Sequence, residues 1–145
     1  MVETTRYTHA ELWLIDLANF ASVKAFTDKV TNELDRVDIL IENAAVATFA
    51  YSVTVDGWEN SLSPHFRPFF YFLTKCSIQT NDLGLALLTI LLLPKLFDTA
   101  KRFSILPRIV AVSSTAHYQV PFGDDLIEAS NIHKKVSSEE YCTPA

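Results

Sequence analysis

The run Arg108-Ile109-Val110-Ala111-Val112 ends on a pair of hydroxyls, Ser113-Ser114. A short apolar run without alternation suits a strand buried on both faces, as in a parallel sheet with helices packed over it. Parallel strands need long crossovers, so such a strand demands helical segments before it. The rest of the chain supplies them. Val37 to Ile41 is a second strand, nearly continuous in apolar residues, and Ala10 to Asp16 reads as a shorter strand ending in a carboxylate. Asn19 stands where a helix N-cap belongs, and Phe20, Val23, Phe26, Val30 and Leu34 follow at helical spacing. Leu83 to Phe97 is apolar almost all round, which fits a buried or interface helix, with Pro94 expected to kink or end it. Strand, helix, strand, helix, strand is the alternation of an α/β domain.

Size and composition fit one such domain over 1–145. The chain has 145 residues and is 49% hydrophobic, enough for a core. A net charge of −5 with no basic stripe argues against a nucleic-acid partner. Cys76 and Cys142 make no disulfide framework, and they and the scattered His9, His65, His117 and His133 have no metal-ligand spacing. Met1 to Arg6 lacks the apolar core of a signal peptide, and Leu83 to Leu93 alone is too short to span a bilayer, so a cytoplasmic location is expected. His117 follows Ser114 closely, but three residues on one loop seldom give the geometry of a hydrolytic triad.

Two features break the pattern. The chain has only 3 glycines, few for an α/β domain. Ser63 to Ile78 crowds Phe66, Phe69, Phe70, Tyr71 and Phe72 into a few positions, contains two prolines and follows neither helical nor alternating periodicity.

Six pieces, taken in order, resemble the short-chain dehydrogenase/reductase family, nearest its retinol-dehydrogenase-like branch and related fungal enzymes. They are Leu14-Ile15-Asp16-Leu17-Ala18, Asp38 to Ala45, Asp56-Gly57-Trp58-Glu59, Asn81-Asp82-Leu83-Gly84, Leu91-Leu92-Leu93-Pro94 and Pro107 to Ser114. The resemblance implies an incomplete Rossmann-type doubly wound parallel sheet that keeps family strands 3, 4 and 5 with their intervening helices. In a sheet of order 3-2-1-4-5, strands 3 and 4 are not neighbours. Val37 to Ile41 then becomes an edge strand, and Leu12 to Asp16 is left to pair directly with it or not at all. The isolated chain is expected to be poorly soluble.

The resemblance also implies an NADP- or NAD-dependent alcohol or carbonyl oxidoreductase acting on an apolar small molecule. Ser114 matches the serine that orients the carbonyl oxygen, and Asn81 the asparagine of the catalytic set. As plain structure, the first would close a strand end and the second would cap a helix. Asp16 and Asn43 match cofactor neighbours on the adenosine side, with Asp16 equally readable as a turn residue. Glu42 and Ala45 depart from the family's Asn-Asn-Ala-Gly around Asn43. Lys95 lies where some relatives place a basic cofactor neighbour, although a solvated lysine near a helix end explains it as well. The helix Leu83–Phe97 resembles the element such enzymes use to dimerise. No metal is implied.

Much of the family's machinery is missing from these residues. The Gly-rich pyrophosphate turn is absent, and no Tyr-x-x-x-Lys follows Ser114. Tyr71 and Lys75 fit that spacing by letter but lie upstream, inside the aromatic segment. Removing Ser63–Ile78 restores family continuity, so that stretch reads as an insertion, arising either from the gene model or as a genuine substrate loop. The expectation is a truncated, inactive form, with a non-catalytic interaction module as the alternative.

Overall fold

The computed structural model describes residues 9–46, 52–58, 78–114 and 128–136. The aromatic segment other than Ile78, both cysteines and the stretch after Ser114 that holds His117 lie outside the described residues.

The N-terminal stretch 11–16 runs extended with alternating exposure. Leu12 and Leu14 point to solvent, while Trp13 and Ile15 pack on the core. It then turns at Asp16–Asn19 into helix α1 (Phe20–Glu33). Asn19 caps that helix as expected, its side-chain oxygen accepting from the N–H of Ala21 at 2.9 Å and of Ser22 at 3.3 Å. One face of α1 is buried through Val23, Thr27 and Val30. Trp13 meets Phe26 edge-on at 6.2 Å and carries the Lys29 ammonium over its ring at 4.2 Å.

Strand β1 (Ile39–Glu42) follows, and after the turn at 54–57 comes a π-helical turn (Gln79–Leu83) leading directly into helix α2 (Gly84–Phe103). Gly84, Leu88, Leu92, Leu96 and Thr99 form the buried stripe of α2. Leu88 and Leu92 interlock with Leu17, Val23 and Val30 of the α1 region in the main apolar cluster. Burial of such side chains stabilises by about 1.5–3 kcal/mol each.

The far end of α2 is pinned to the α1–β1 connection. The Thr99 hydroxyl accepts from the Val37 N–H at 3.1 Å, and Arg102 reaches both the carbonyl and the carboxylate of Asp35. The guanidiniums of Arg36 and Arg102 both lie over the Phe103 ring, at 4.8 and 5.1 Å from its centroid. The hydrogen bonds of Arg36 to Asp38, and of Arg102 to Asp35 and Asp98, raise the pKa of both guanidiniums.

Ser104 ends α2 in the left-handed region at φ 53°, and strand β2 (Arg108–Ala111) lies parallel to β1. Ile39 pairs with Arg108, Leu40 with Ile109, Ile41 with Val110 and Glu42 with Ala111. A short helix α3 (Ile132–Val136) is capped by Asn131.

Two expectations need correction. The sheet of the described residues has two strands, β1 and β2, and Leu12–Asp16 is not a third. That stretch has a strand's alternation, but no backbone hydrogen bond joins it to β1 among the described residues. Extended residues become a strand only when a neighbouring backbone accepts them. The second concerns Pro94. It neither ends α2 nor shortens the apolar segment: Gln79–Phe103 is one helical stretch of 25 residues. The carbonyl four residues before Pro94 belongs to Ile90, on the exposed side of α2, where water can satisfy it. At mean hydropathy 1.7 this helix is long and apolar enough to cross a membrane by length and composition, unlike the shorter Leu83–Leu93 run considered alone.

Candidate functional site

In open parallel sheets, ligands bind beyond the carboxyl ends of the strands. Here β1 and β2 end side by side. The Val112 N–H donates to the Glu42 carbonyl at 2.9 Å, carrying the ladder one step past β2. Beyond that bond the chains continue as Asn43-Ala44-Ala45-Val46 on one side and Ser113-Ser114 on the other, all exposed.

Asn81 joins this end through the π-helical turn. Its amide nitrogen donates to the Val46 carbonyl at 2.8 Å, and its amide oxygen accepts from the Val46 N–H at 2.8 Å. The side chain is therefore a clamp on the backbone that follows Asn43. The turn at Asp16–Leu17 lies beside it, since a Cβ on Gly84 would come within 2.5 Å of the Leu17 carbonyl oxygen. Asn43, Asn81 and Ser114 thus gather at the carboxyl end of the sheet, with Asp16 on the neighbouring turn. The Asp16 carboxylate accepts from the Ala18 N–H at 2.9 Å, and its backbone N–H donates to Ser22 Oγ at 2.9 Å, so it braces the entry to α1. Lys95 is not part of this group. It sits about 16 Å along α2 from Gly84 and donates to the Thr31 carbonyl at 3.2 Å, near the other end of α1.

Three residues given no site role from sequence support this end. Gln79 is fully buried. Its amide donates to Asp56 Oδ2 and accepts from the Thr54 hydroxyl. Asp56 Oδ2 also accepts from the Phe20 N–H at 2.7 Å, tying the 54–58 turn to the start of α1. Glu42, also buried, accepts from the Thr89 hydroxyl on α2. The polar run Gln79-Thr80-Asn81-Asp82 ahead of an apolar helix was the available signal for Gln79. Asp56 and Glu42 stood in matched pieces of sequence, but their supporting roles were not legible because their partners are distant in sequence.

The start of α1 does not offer a diphosphate cradle. A helix start holds phosphate with free amides. At α1 the Phe20 amide is taken by Asp56, and those of Ala21 and Ser22 by Asn19. No glycine opens the approach there. Among the described residues no group of three or more His, Cys, Asp and Glu side chains could hold a metal ion.

No family model matches the chain. Curated proteins do. The chain is 35% identical over 128 residues to the short chain dehydrogenase FGM9 of Gibberella zeae, covering 86% of this chain and 32% of that protein. It is 32% identical over 112 residues to the short chain dehydrogenase/reductase dmxR8 of Cryptosporiopsis, covering 77% and 29%. Human retinol dehydrogenase 12 is 36% identical over 112 residues, covering 76% and 29%. The chain thus spans about a third of the length of these curated relatives. Among solved structures, the crystal structure of an uncharacterized protein from Mycobacterium paratuberculosis matches with a TM-score of 0.57 and 26% identity, covering 96% of this chain and 42% of the other.

Proposed function

The chain belongs to the short-chain dehydrogenase/reductase family, and from that premise we propose that it carries part of an NAD(P)-dependent site for an alcohol or carbonyl group on an apolar metabolite. The observation that supports this reading is the gathering of Asn43, Asn81 and Ser114 at the carboxyl end of the parallel pair. In this reading the Ser114 hydroxyl donates to the substrate oxygen and orients it. Asn81 acts through Val46, holding the loop beyond β1 in place, and Asn43 and Asp16 lie on the cofactor side. The nicotinamide would supply the hydride chemistry when bound.

The same reading makes the 145 residues alone inactive. The amides at the start of α1 are capped from within, so they offer nothing to a diphosphate. Among these 145 residues no Tyr-x-x-x-Lys follows Ser114 to move the proton. Titration calorimetry of the full chain with NADPH and with NADH tests this. The expected result is no saturable heat with either; a micromolar Kd would overturn it.

A second reading, a non-catalytic interaction module of the cytoplasm, draws on the outer face of α2. Ile90 and Phe97 are exposed there at 62% and 63%, with Pro94 between them. This reading pairs α2 with a full-length relative. Capture of the Gibberella zeae enzyme by the wild-type chain, lost in Phe97→Glu, would favour it; equal capture by both would remove it.

A further inference from the structure

Two side-chain amides stand two residues apart on the π-helical turn, and each has its donor and its acceptor engaged. Asn81 uses both on the Val46 peptide. Gln79, fully buried, uses both on the 54–58 turn, donating to Asp56 Oδ2 and accepting from the Thr54 hydroxyl. That turn is closed from within. The Thr54 N–H donates to the Trp58 carbonyl at 2.8 Å, the Gly57 N–H to the Thr54 carbonyl at 3.0 Å, and the Trp58 N–H to the Thr54 hydroxyl at 3.2 Å. The same Asp56 Oδ2 holds the Phe20 N–H at the start of α1.

The width of the π-helical turn needs a cause, because a helix that is free to choose keeps the tighter α spacing. Here the Gly84 N–H reaches back five residues to the Gln79 carbonyl. The two ends of that bond are fixed by different neighbours. Gly84 is pressed on the Leu17 backbone, where a Cβ would stand 2.5 Å from the carbonyl oxygen. Gln79 is fixed by Asp56 and Thr54. Closing the turn to α spacing would pass the Gly84 bond to the Thr80 carbonyl. It would also move Gln79 by one helical position, about 100° around the axis. The buried amide would then lose both partners, which is the costly case for a polar group shut away from water.

We propose that Gln79 and Asp56 form a latch that keeps this turn in its wide register and thereby places Asn81 on Val46. Gln79 is a positioning residue acting through Asn81, and Asp56 ties it to the first turn of α1. The loop beyond β1 and the start of α1 are then held or released together. Coupling of this kind needs an element with two discrete arrangements, and the bonds from Gly84 to Gln79 or to Thr80 are those two. The inference goes beyond the redox reading and does not depend on it, since none of these contacts involves a cofactor or a substrate.

NMR of the full chain tests this. Scalar coupling across the hydrogen bond identifies which carbonyl accepts from the Gly84 N–H, and amide exchange at Val46 reports the clamp. The expected acceptor in the wild-type chain is Gln79. Gln79→Met keeps an unbranched side chain and removes both polar ends. It should pass the Gly84 bond to Thr80 and speed exchange at Val46 about ten-fold or more relative to Leu92 in the core. Asp56→Ala, at an exposed position, should do the same, and it carries the test if Gln79→Met does not fold. Asp56→Asn keeps an oxygen that can accept from both Phe20 and Gln79, so it should restore the Gln79 acceptor and the slow exchange at Val46. A role in stability alone would speed exchange at Val46 and Leu92 together and leave the Gly84 partner unchanged. The proposal is overturned if Gly84 stays bonded to Gln79 in Asp56→Ala, or if Val46 is released no more than Leu92. It is equally overturned if Asp56→Asn behaves like Asp56→Ala, because the shared oxygen would then not be what holds the turn.

Discussion

Asn81 and Val46 are joined by two hydrogen bonds of 2.8 Å, one in each direction, between a side-chain amide and a backbone peptide 35 residues away. An amide fits because it carries a donor and an acceptor side by side, and the peptide offers the complementary pair. Asn81→Asp keeps the shape but sets a carboxylate oxygen against the Val46 carbonyl. Stability should fall by about 1–2 kcal/mol, read as a lower urea midpoint at unchanged m-value. Exchange of the Val46 amide should accelerate by a larger factor than that of core amides. A midpoint equal to wild type would mean that the clamp contributes nothing.

The clamp shows where sequence reasoning reaches its limit. Asn81 was legible as a site residue or a helix cap, but its bond to Val46 depends on how α2 lies across the end of β1. Local features were easier to read. Asn19 caps α1, and Val23 and Val30 face inward, because cap chemistry and helical spacing are properties of neighbouring residues. Val37–Ile41 and Arg108–Val112 were legible as strands, and the structure pairs them in parallel with each at an edge. Leu12–Asp16 has equally good strand chemistry and has no strand partner among the described residues, since pairing depends on a neighbour rather than on the segment itself. Pro94 does not end α2, because its cost depends on whether the orphaned carbonyl faces water, which the sequence does not state.

Gly84 should tolerate no side chain. A Cβ there would stand 2.5 Å from the Leu17 carbonyl oxygen and 3.2 Å from Leu17 Cβ, so backbone must move rather than a side-chain tip. Alanine would gain about 1 kcal/mol in helix propensity, but displacing α2 from the Leu17 turn costs about 1–3 kcal/mol. Gly84→Ala is therefore expected to lower the thermal midpoint by a few degrees, read by circular dichroism. An unchanged or raised midpoint would show that α2 can slide without penalty.

Ser104 presents the opposite case. It holds φ 53° at the end of α2, where an L-residue with a Cβ is strained by about 1 kcal/mol. Glycine is the usual residue at such a helix end. Ser104→Gly should stabilise the chain by roughly 0.5–1 kcal/mol, and Ser104→Val should destabilise it, since a β-branched side chain fits that region poorly. Chemical denaturation of the two variants should therefore bracket wild type. The same order for both relative to wild type would mean that the conformation at 104 relaxes freely.

Glu42 and Thr89 provide a test of the sheet–helix junction beside the candidate site. Glu42 is buried at the end of β1, and the Thr89 hydroxyl on α2 donates to its carboxylate. Thr89→Val preserves volume but removes that donor, leaving a buried acceptor unsatisfied at a cost of about 1–3 kcal/mol. Glu42→Leu removes the carboxylate instead and leaves a hydroxyl that can turn back to its own helix carbonyls, so it should cost less. The double variant should be more stable than Thr89→Val alone, because neither polar partner then remains. Urea unfolding of the four proteins closes the cycle. A coupling energy within about 0.3 kcal/mol of zero would mean that the pair does not act as a unit, and that the β1 end and the α2 end are joined here by the Asn81–Val46 bonds instead.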